Sequence, residues 1–335
     1  MLSGLQLKAG STAWMPTYHC GLEVQVPIVL GLKVGFYRVS PDLLIVDEDD
    51  LERKLKERPG PVLLIHYFGF AQTGVGRIAA LCRKYGAPLI EDCAHSLFSM
   101  HGDRALGEFA PFSIFSFTKA LPVFEGGASK VDSTLLERPF QFPPEGRFSL
   151  FPYKLFVKAK ARELMGENIM MIYHRIRRKK QRIRNDNDLY SPIWDRYDDS
   201  FSYLARRLAA SVNPDYIIET RRDNWRGLDE RLTGLPGYSK VFENLPVGTC
   251  PLFLPIRVAQ RGLFMERLLA NGIECFIFGA TPHPHLDQLS SAETARTRNS
   301  IMCLPIHQQL RDADLDRIGT VVGALLGKHR CDSWS

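Results

Sequence analysis

Residues 61–95 read PVLLIHYFGFAQTGVGRIAALCRKYGAPLIEDCAH. Pro61 to His66 is an apolar run of strand length. Val75 to Tyr85 then places apolar residues at helical spacing (Val75, Ile78, Ala79, Cys82) until Gly86 stops the pattern, and Ala87 to Ile90 is apolar again. Strand, helix and strand in this order predict a parallel β-α-β unit. In open sheets built from such units, ligands gather beyond the carboxyl ends of the strands, where Glu91, Asp92 and His95 fall.

Working outward, Phe112 to Phe117 is a further apolar strand that delivers Lys119 just past its end, and Glu125-Gly126-Gly127 follows. Taken singly, these residues have plain readings. A Glu-Asp pair after a strand is usually a helix cap or a solvated loop, and two glycines mark a tight turn or close backbone packing. Together they match one chemistry. Lysine is the side chain whose amine forms an imine with an aldehyde. A carboxylate facing a pyridine nitrogen keeps that ring protonated and electron-withdrawing. Asp92 and Lys119 suit these two tasks, His95 suits a place over the ring or on its phenolic oxygen, and the Ser116 and Thr118 hydroxyls suit a phosphate. The cofactor these residues would take is pyridoxal phosphate.

The same pieces resemble the DegT/DnrJ/StrS family of pyridoxal-phosphate-dependent sugar aminotransferases. They are Met15-Pro16-Thr17-Tyr18, His66-Tyr67-Phe68-Gly69, Glu91-Asp92-x-Ala94-His95, Ser116-Phe117-Thr118-Lys119, Glu125-Gly126-Gly127, Arg221-Arg222-x-Asn224 and Leu304-Pro305-Ile306-His307, in the family's order. The resemblance implies an α/β fold of type I, with a mostly parallel sheet in an α/β/α large domain and a smaller α+β C-terminal domain. It implies Lys119 as the catalytic lysine bonded to the cofactor aldehyde, Asp92 at the pyridine nitrogen, His95 beside the ring, Ser116 on the phosphate and Tyr18 leaning toward the ring. It also implies a homodimer with sites at the subunit interface. Glutamate would be the amino donor, and a nucleotide-linked keto sugar the acceptor.

The chain departs from the pattern in three places. Members carry a Gly-Thr/Ser segment and a helix start ahead of the Pro16 motif, where backbone amides hold the phosphate. This chain starts at Met1, after that point, so the expectation is an upstream start or weakened phosphate binding; Gly10-Ser11-Thr12 reads instead as a turn leading into a strand. Cys20 stands where members place an aromatic that stacks on the ring. The Ser-Phe-Thr-Lys spacing is shorter than the commonest form.

With 335 residues, 45% hydrophobic and 24% charged, the chain can bury a large core. It shows no signal-peptide pattern and no apolar stretch of bilayer length, which points to the cytoplasm. Its seven cysteines are scattered without a Cys-x-x-Cys pair, arguing against a disulfide framework or a zinc site; Cys93 reads as a buried structural thiol. Residues 1–150 are expected to form the large domain, 151–200 a basic helical connection entered through a Pro-, Phe- and Gly-rich break at 138–152, and 201–330 the small domain. Helical character resumes near Tyr203 and continues through Arg221 to Leu232. Pro251 to Val258 reads as a strand, Leu263 to Ala270 as a helix closed by Asn271-Gly272, and Leu304 to Ile306 as a strand before a structural His307. His283 and His285 read as a loop with two surface histidines, which in family members lies near the active-site mouth.

Seven of the ten residues 175–184 are basic. A solvated helix face is the plainest reading. Attraction to anionic lipid headgroups and a clamp for a nucleotide-sugar diphosphate are the alternatives. Nucleic acid ranks last, since a net charge of +6 is modest and no aromatic residues interleave with the run. A cofactor-deficient binding or scaffold protein of the same pathway competes with the enzyme, and intact Asp92, His95 and Lys119 argue against it. Sugar dehydration on the same cofactor is disfavoured too, because relatives of that kind replace the lysine.

Overall fold

A computed structural model describes residues 7, 10–123, 125–135, 201–280, 283 and 292–328. The connection at 151–200 and the basic run at 175–184 lie outside the described residues, as does His285.

The N-terminal part alternates strands and helices. In chain order these are β1 (Thr12–Pro16), α1 (Leu22–Val29), β2 (Lys33–Tyr37), α2 (Glu48–Glu57), β3 (Val62–Ile65), α3 (Val75–Lys84) and β4 (Leu89–Asp92). A two-stranded hairpin, β5 (Met100–His101) and β6 (Arg104–Ala105), precedes β7 (Phe112–Ser116), the single-turn α4 (Phe117–Ala120) and β8 (Gly127–Val131). Strands β2-β1-β3-β4-β7-β8 form one sheet in that order. All neighbours run parallel except β7 and β8. The predicted β-α-β unit is therefore present, and Asp92 is the last residue of β4, paired with Ile65 on one side and Ile114 on the other.

Both faces of the central strands β3 and β4 are buried, which explains their near-continuous apolar runs, whereas the edge strand β8 is exposed. Side chains alternate across the sheet. Trp14, Val62, Leu64 and Leu89 meet Leu51 and Leu55 of α2 and Val75, Ile78 and Cys82 of α3. Ala13, Met15, Leu63, Ile65 and Ile90 point the other way, into a core shared with the C-terminal part.

That C-terminal part consists of α5 (Tyr203–Ala210), α6 (Pro214–Leu232), β9 (Phe253–Arg257), α7 (Arg261–Ala270), α8 (Ala292–Ser300), β10 (Ile301–Pro305) and α9 (Asp312–Lys328). Strands β9 and β10 pair antiparallel. Trp225 and Leu228 of α6, Leu254 and Ile256 of β9 and Val322 of α9 complete the shared core. The expected single helix from Tyr203 to Leu232 is broken into α5 and α6. Asn213 caps α6 by accepting from the Asp215 and Tyr216 amides, and Pro214 occupies the first turn, where its missing N–H costs nothing. Among the described residues no helix is long and apolar enough to cross a membrane.

Candidate active site

The loops past the carboxyl ends of β1, β3, β4 and β7 converge. Asp92 is buried, and one of its carboxylate oxygens accepts from the Ala94 amide at 2.9 Å, an Asx-type turn that fixes the side chain after the strand ends. Burial, together with the nearby Glu23 charge, pushes the Asp92 carboxyl up to about 6, while the Ala94 amide and the Lys119 ammonium pull the other way.

His95 is buried one turn further on and stacks on Phe68, with ring centroids 5.5 Å apart and planes 13° from parallel. The Phe68 N–H donates to His95 Nδ1 at 3.4 Å, which assigns the ring proton to Nε2. Nε2 has no hydrogen-bond partner. Burial and the Lys119 charge hold the imidazole well below its usual proton affinity, so it is neutral and presents a donor with nothing to donate to. Phe276 and Phe278 meet it edge-on.

Lys119 is exposed on α4, in electrostatic reach of both Asp92 and His95. The turn that carries it is pinned at both ends. At its start Phe117 N–H donates to the Gly126 carbonyl at 3.1 Å. At its end the Ala120 carbonyl accepts from Arg221 Nη2 at 3.4 Å and Gln308 Nε2 at 3.3 Å. Arg221 is itself buried and also donates to Gln308 Oε1 and to the Pro251 and Leu252 carbonyls. Asn224, one turn along α6, donates to the Ile306 and His307 carbonyls. The Arg-Arg-x-Asn segment is thus a latch between α6, the lysine turn and the strand end after β10. Gly126 has φ +103 and Phe201 lies where a side chain would project, so the second glycine motif is a close-packing device. Ser116 Oγ and Thr118 Oγ1 face each other at 3.2 Å.

The structure therefore brings Asp92, His95 and Lys119 together, with Ser116 one turn from the lysine. Tyr18 packs on Phe278, whose ring also meets His95 edge-on. It is buried, packs its ring on Tyr67 and Phe278, and donates its hydroxyl to the Phe278 carbonyl at 3.2 Å, while its own carbonyl accepts from Tyr67 at 2.5 Å. His283 differs from the surface histidine expected from its loop: it is buried, with Nε2 3.0 Å from Gln25 Oε1. Cys20, noted in the sequence for replacing an aromatic, has a partner that the sequence did not reveal. Cys20 donates its thiol to Glu23 Oε2 at 2.8 Å, and both feel the charges of the site.

A second buried polar group, His66–Glu91–Cys93, has its ligand atoms within 4.8 Å of one another. Its hydrogen bonds explain it structurally. Gln72 N–H donates to His66 Nδ1, so Nε2–H donates to Glu91 Oε2 at 3.0 Å, and the same carboxylate accepts from the Gly107 and Ala110 amides. A cleft of about 460 Å³ between the sheet edge at β2 and helix α2 lies away from Asp92 and is lined by several cations. Arg38 is paired there with Asp47, and Arg53 with Asp50 and Glu57, the pattern of a solvated charged face.

The donor set fits pyridoxal phosphate: a buried carboxylate for a pyridine nitrogen, an exposed amine for an aldehyde, and an imidazole N–H lacking an acceptor between them. Mixed α/β architecture, mostly parallel sheet and this set together define the fold type I class. Residues 2–143 match the model of the DegT/DnrJ/EryC1/StrS aminotransferase family. The chain is 27% identical over 137 residues to GDP-perosamine synthase of Vibrio cholerae, covering 40% of this chain and 37% of that protein. It is 36% identical over 105 residues to the UDP-4-amino-4,6-dideoxy-N-acetyl-beta-L-altrosamine transaminase of Campylobacter jejuni subsp. jejuni serotype O:23/36 (strain 81-176), covering 30% and 28%. The chain thus matches only about a third of the length of these curated relatives. The fold extends further. The crystal structure of a DegT DnrJ EryC1 StrS aminotransferase from Brucella abortus superposes with a TM-score of 0.70 at 19% identity, over 97% of this chain and 82% of that one.

Proposed function

We propose that this chain is a pyridoxal-phosphate-dependent aminotransferase that transfers an amino group from glutamate to a nucleotide-linked keto sugar. The observation that carries this reading is the meeting of the buried Asp92 carboxyl, the exposed Lys119 amine and the acceptor-less His95 Nε2 beyond the carboxyl ends of β4 and β7. The names of the relatives, a GDP-sugar synthase and a UDP-sugar transaminase, support the substrate class.

When bound, pyridoxal phosphate supplies an aldehyde that takes an amine and a ring that accepts the electron pair left by a departing proton. Asp92 holds the proton of the ring nitrogen, and its burial makes that charge pair strong. His95 Nε2–H, which lacks a partner, would be the donor for the cofactor's phenolic oxygen. Lys119 Nζ would be the amine that holds the cofactor aldehyde, and the same amine, when free, would serve as the base that moves the proton at the substrate carbon. Its place on a single turn latched by Arg221 and Gln308 keeps the amine in reach while leaving it exposed to incoming substrate. Ser116, with Thr118 beside it, serves the phosphate. Residues 1–150 make the large unit and 201–330 the small one, in a cytoplasmic homodimer.

The purified protein with added pyridoxal phosphate should show a visible absorbance band that bleaches with borohydride and is missing from Lys119→Ala. Labelled glutamate should then pass its amino group to a keto sugar nucleotide. A protein that stays colourless at saturating cofactor would overturn the reading in favour of a scaffold.

A further inference from the structure

The cleft between β2 and α2 contains an open stretch of sheet edge. Strand β2 ends the sheet, with β1 as its neighbour. Lys33 N–H donates to the Ser11 carbonyl at 2.9 Å and the Tyr37 carbonyl accepts from Thr17 N–H at 3.0 Å, so the odd residues of β2 turn their backbone groups toward β1. The even residues turn theirs outward. At Arg38, just past the strand, the outward N–H donates to Asp50 Oδ2 at 2.8 Å. Among the described residues the N–H and carbonyl groups of Val34 and Phe36 have no partner, and both residues line the cleft. Lys33, Lys54 and Arg58 line it too. Lys33 and Arg58 have no carboxylate partner among the described residues, and Lys54 stands 3.9 Å from Asp50 and 5.4 Å from the centre of the Trp14 ring. The Trp14 indole N–H donates to the Arg58 carbonyl at 2.9 Å, which ties the end of α2 to the sheet and fixes the frame that carries these cations.

We propose that this edge is a docking site for an extended, acidic peptide segment of a partner protein, which joins β2 as an added strand beside Val34 and Phe36. Donors and acceptors alternate along the open edge, and another backbone offers both in return. A small polyanion would satisfy the N–H groups but set its charge against the Val34 and Phe36 carbonyls. The cations select acidic side chains by charge complementarity. Asp50 already shows the fit, with one carboxylate oxygen on the Arg38 N–H and the other on Arg53. A second copy of this chain is a poor occupant, because pairing edge to edge would bring Lys33, Lys54 and Arg58 of both copies together. The cleft lies away from Asp92, so docking there is independent of the proposed chemistry.

The test uses the full chain and a fluorescein-labelled hexapeptide of alternating valine and glutamate, with binding read by anisotropy. The peptide should bind at low salt, and the same peptide with lysine for glutamate should not. Lys33→Glu combined with Arg58→Glu should weaken the acidic peptide by about tenfold or more, the scale of a unit charge near another at a protein surface. Val34→Pro removes an outward N–H without breaking a bond to β1, and should weaken the peptide by about fivefold, the worth of one net backbone hydrogen bond. If that variant fails to fold, the peptide N-methylated throughout, offered to the unaltered protein, should lose at least as much, since it cannot donate to the Val34 and Phe36 carbonyls. No binding of the acidic peptide, equal binding of the lysine peptide, or binding indifferent to Val34→Pro and to N-methylation overturns the inference. In the last case, displacement by inorganic pyrophosphate would mark a plain anion site instead.

Discussion

Asp92→Asn in the cofactor-free protein gives the sharpest test of the site's electrostatics. The carboxyl is buried and is pushed from an ordinary 3.8 up to about 6, first by burial and then by Glu23. At about 1.4 kcal/mol per tenfold change in proton affinity, the fold disfavours the ionised form by about 3 kcal/mol. In the unfolded chain Asp92 loses its proton near pH 3.8, while the folded chain keeps it to about 6. Across that window the unfolded state binds fewer protons, so the stabilising contribution of the protonated acid is full at the acid end and lost as pH rises through about 6. Asparagine keeps an oxygen for the Ala94 amide and never ionises. Urea denaturation of both proteins at a pH below 3.8 and again well above 6 should show the asparagine variant gaining about 3 kcal/mol on the unaltered protein as pH rises. A stability difference that stays constant with pH, or moves the other way, would refute the claim that Asp92 is held in a desolvated, anionic surrounding.

Three further outcomes are expected. Glu91→Gln places an amide N–H against donors from His66, Gly107 or Ala110 and should cost about 3–5 kcal/mol in urea denaturation, the penalty for breaking a buried charged network. Gly69→Ala should destabilise by about 3 kcal/mol or more, because Gly69 sits at φ +100 with the Cys250 carbonyl where the methyl must go; thermal unfolding checks it. Arg221→Lys leaves some of four acceptors without a donor, so a loss of about 2–4 kcal/mol in denaturation should come with weaker cofactor retention, since the Ala120 carbonyl next to Lys119 is released.

Strands β3, β4 and β7 were legible because they are short apolar runs, β3 and β4 with a helical pattern between them. The places of Asp92 and Lys119 at strand ends were legible because polar residues stand out against such runs, whereas β2 and the polar β8 carry no such signal. What escaped has a common cause in chain geometry. Helix α1 begins at a glycine with φ 94 and contains Pro27, so no uninterrupted pattern marks it, and the Cys20–Glu23 contact on its first turn went with it. The break between α5 and α6 rests on Asn213 and Pro214, an N-cap signal that apolar periodicity runs straight through. His283 looked like a surface residue because its partner, Gln25, lies 258 positions away, and local composition carries no information about so distant a contact.

Arg298 binds the two ends of the chain to one another. From α8 it reaches the carbonyls of Thr17, His19 and Gly279, so a single guanidinium clasps the loop after β1 and the segment just past Phe278. The stretch that matches the family, residues 2–143, therefore does not by itself fix the shape of the loop after β1. Excised alone, it would keep the residues of that loop yet lose the guanidinium that holds the Thr17 and His19 carbonyls in place.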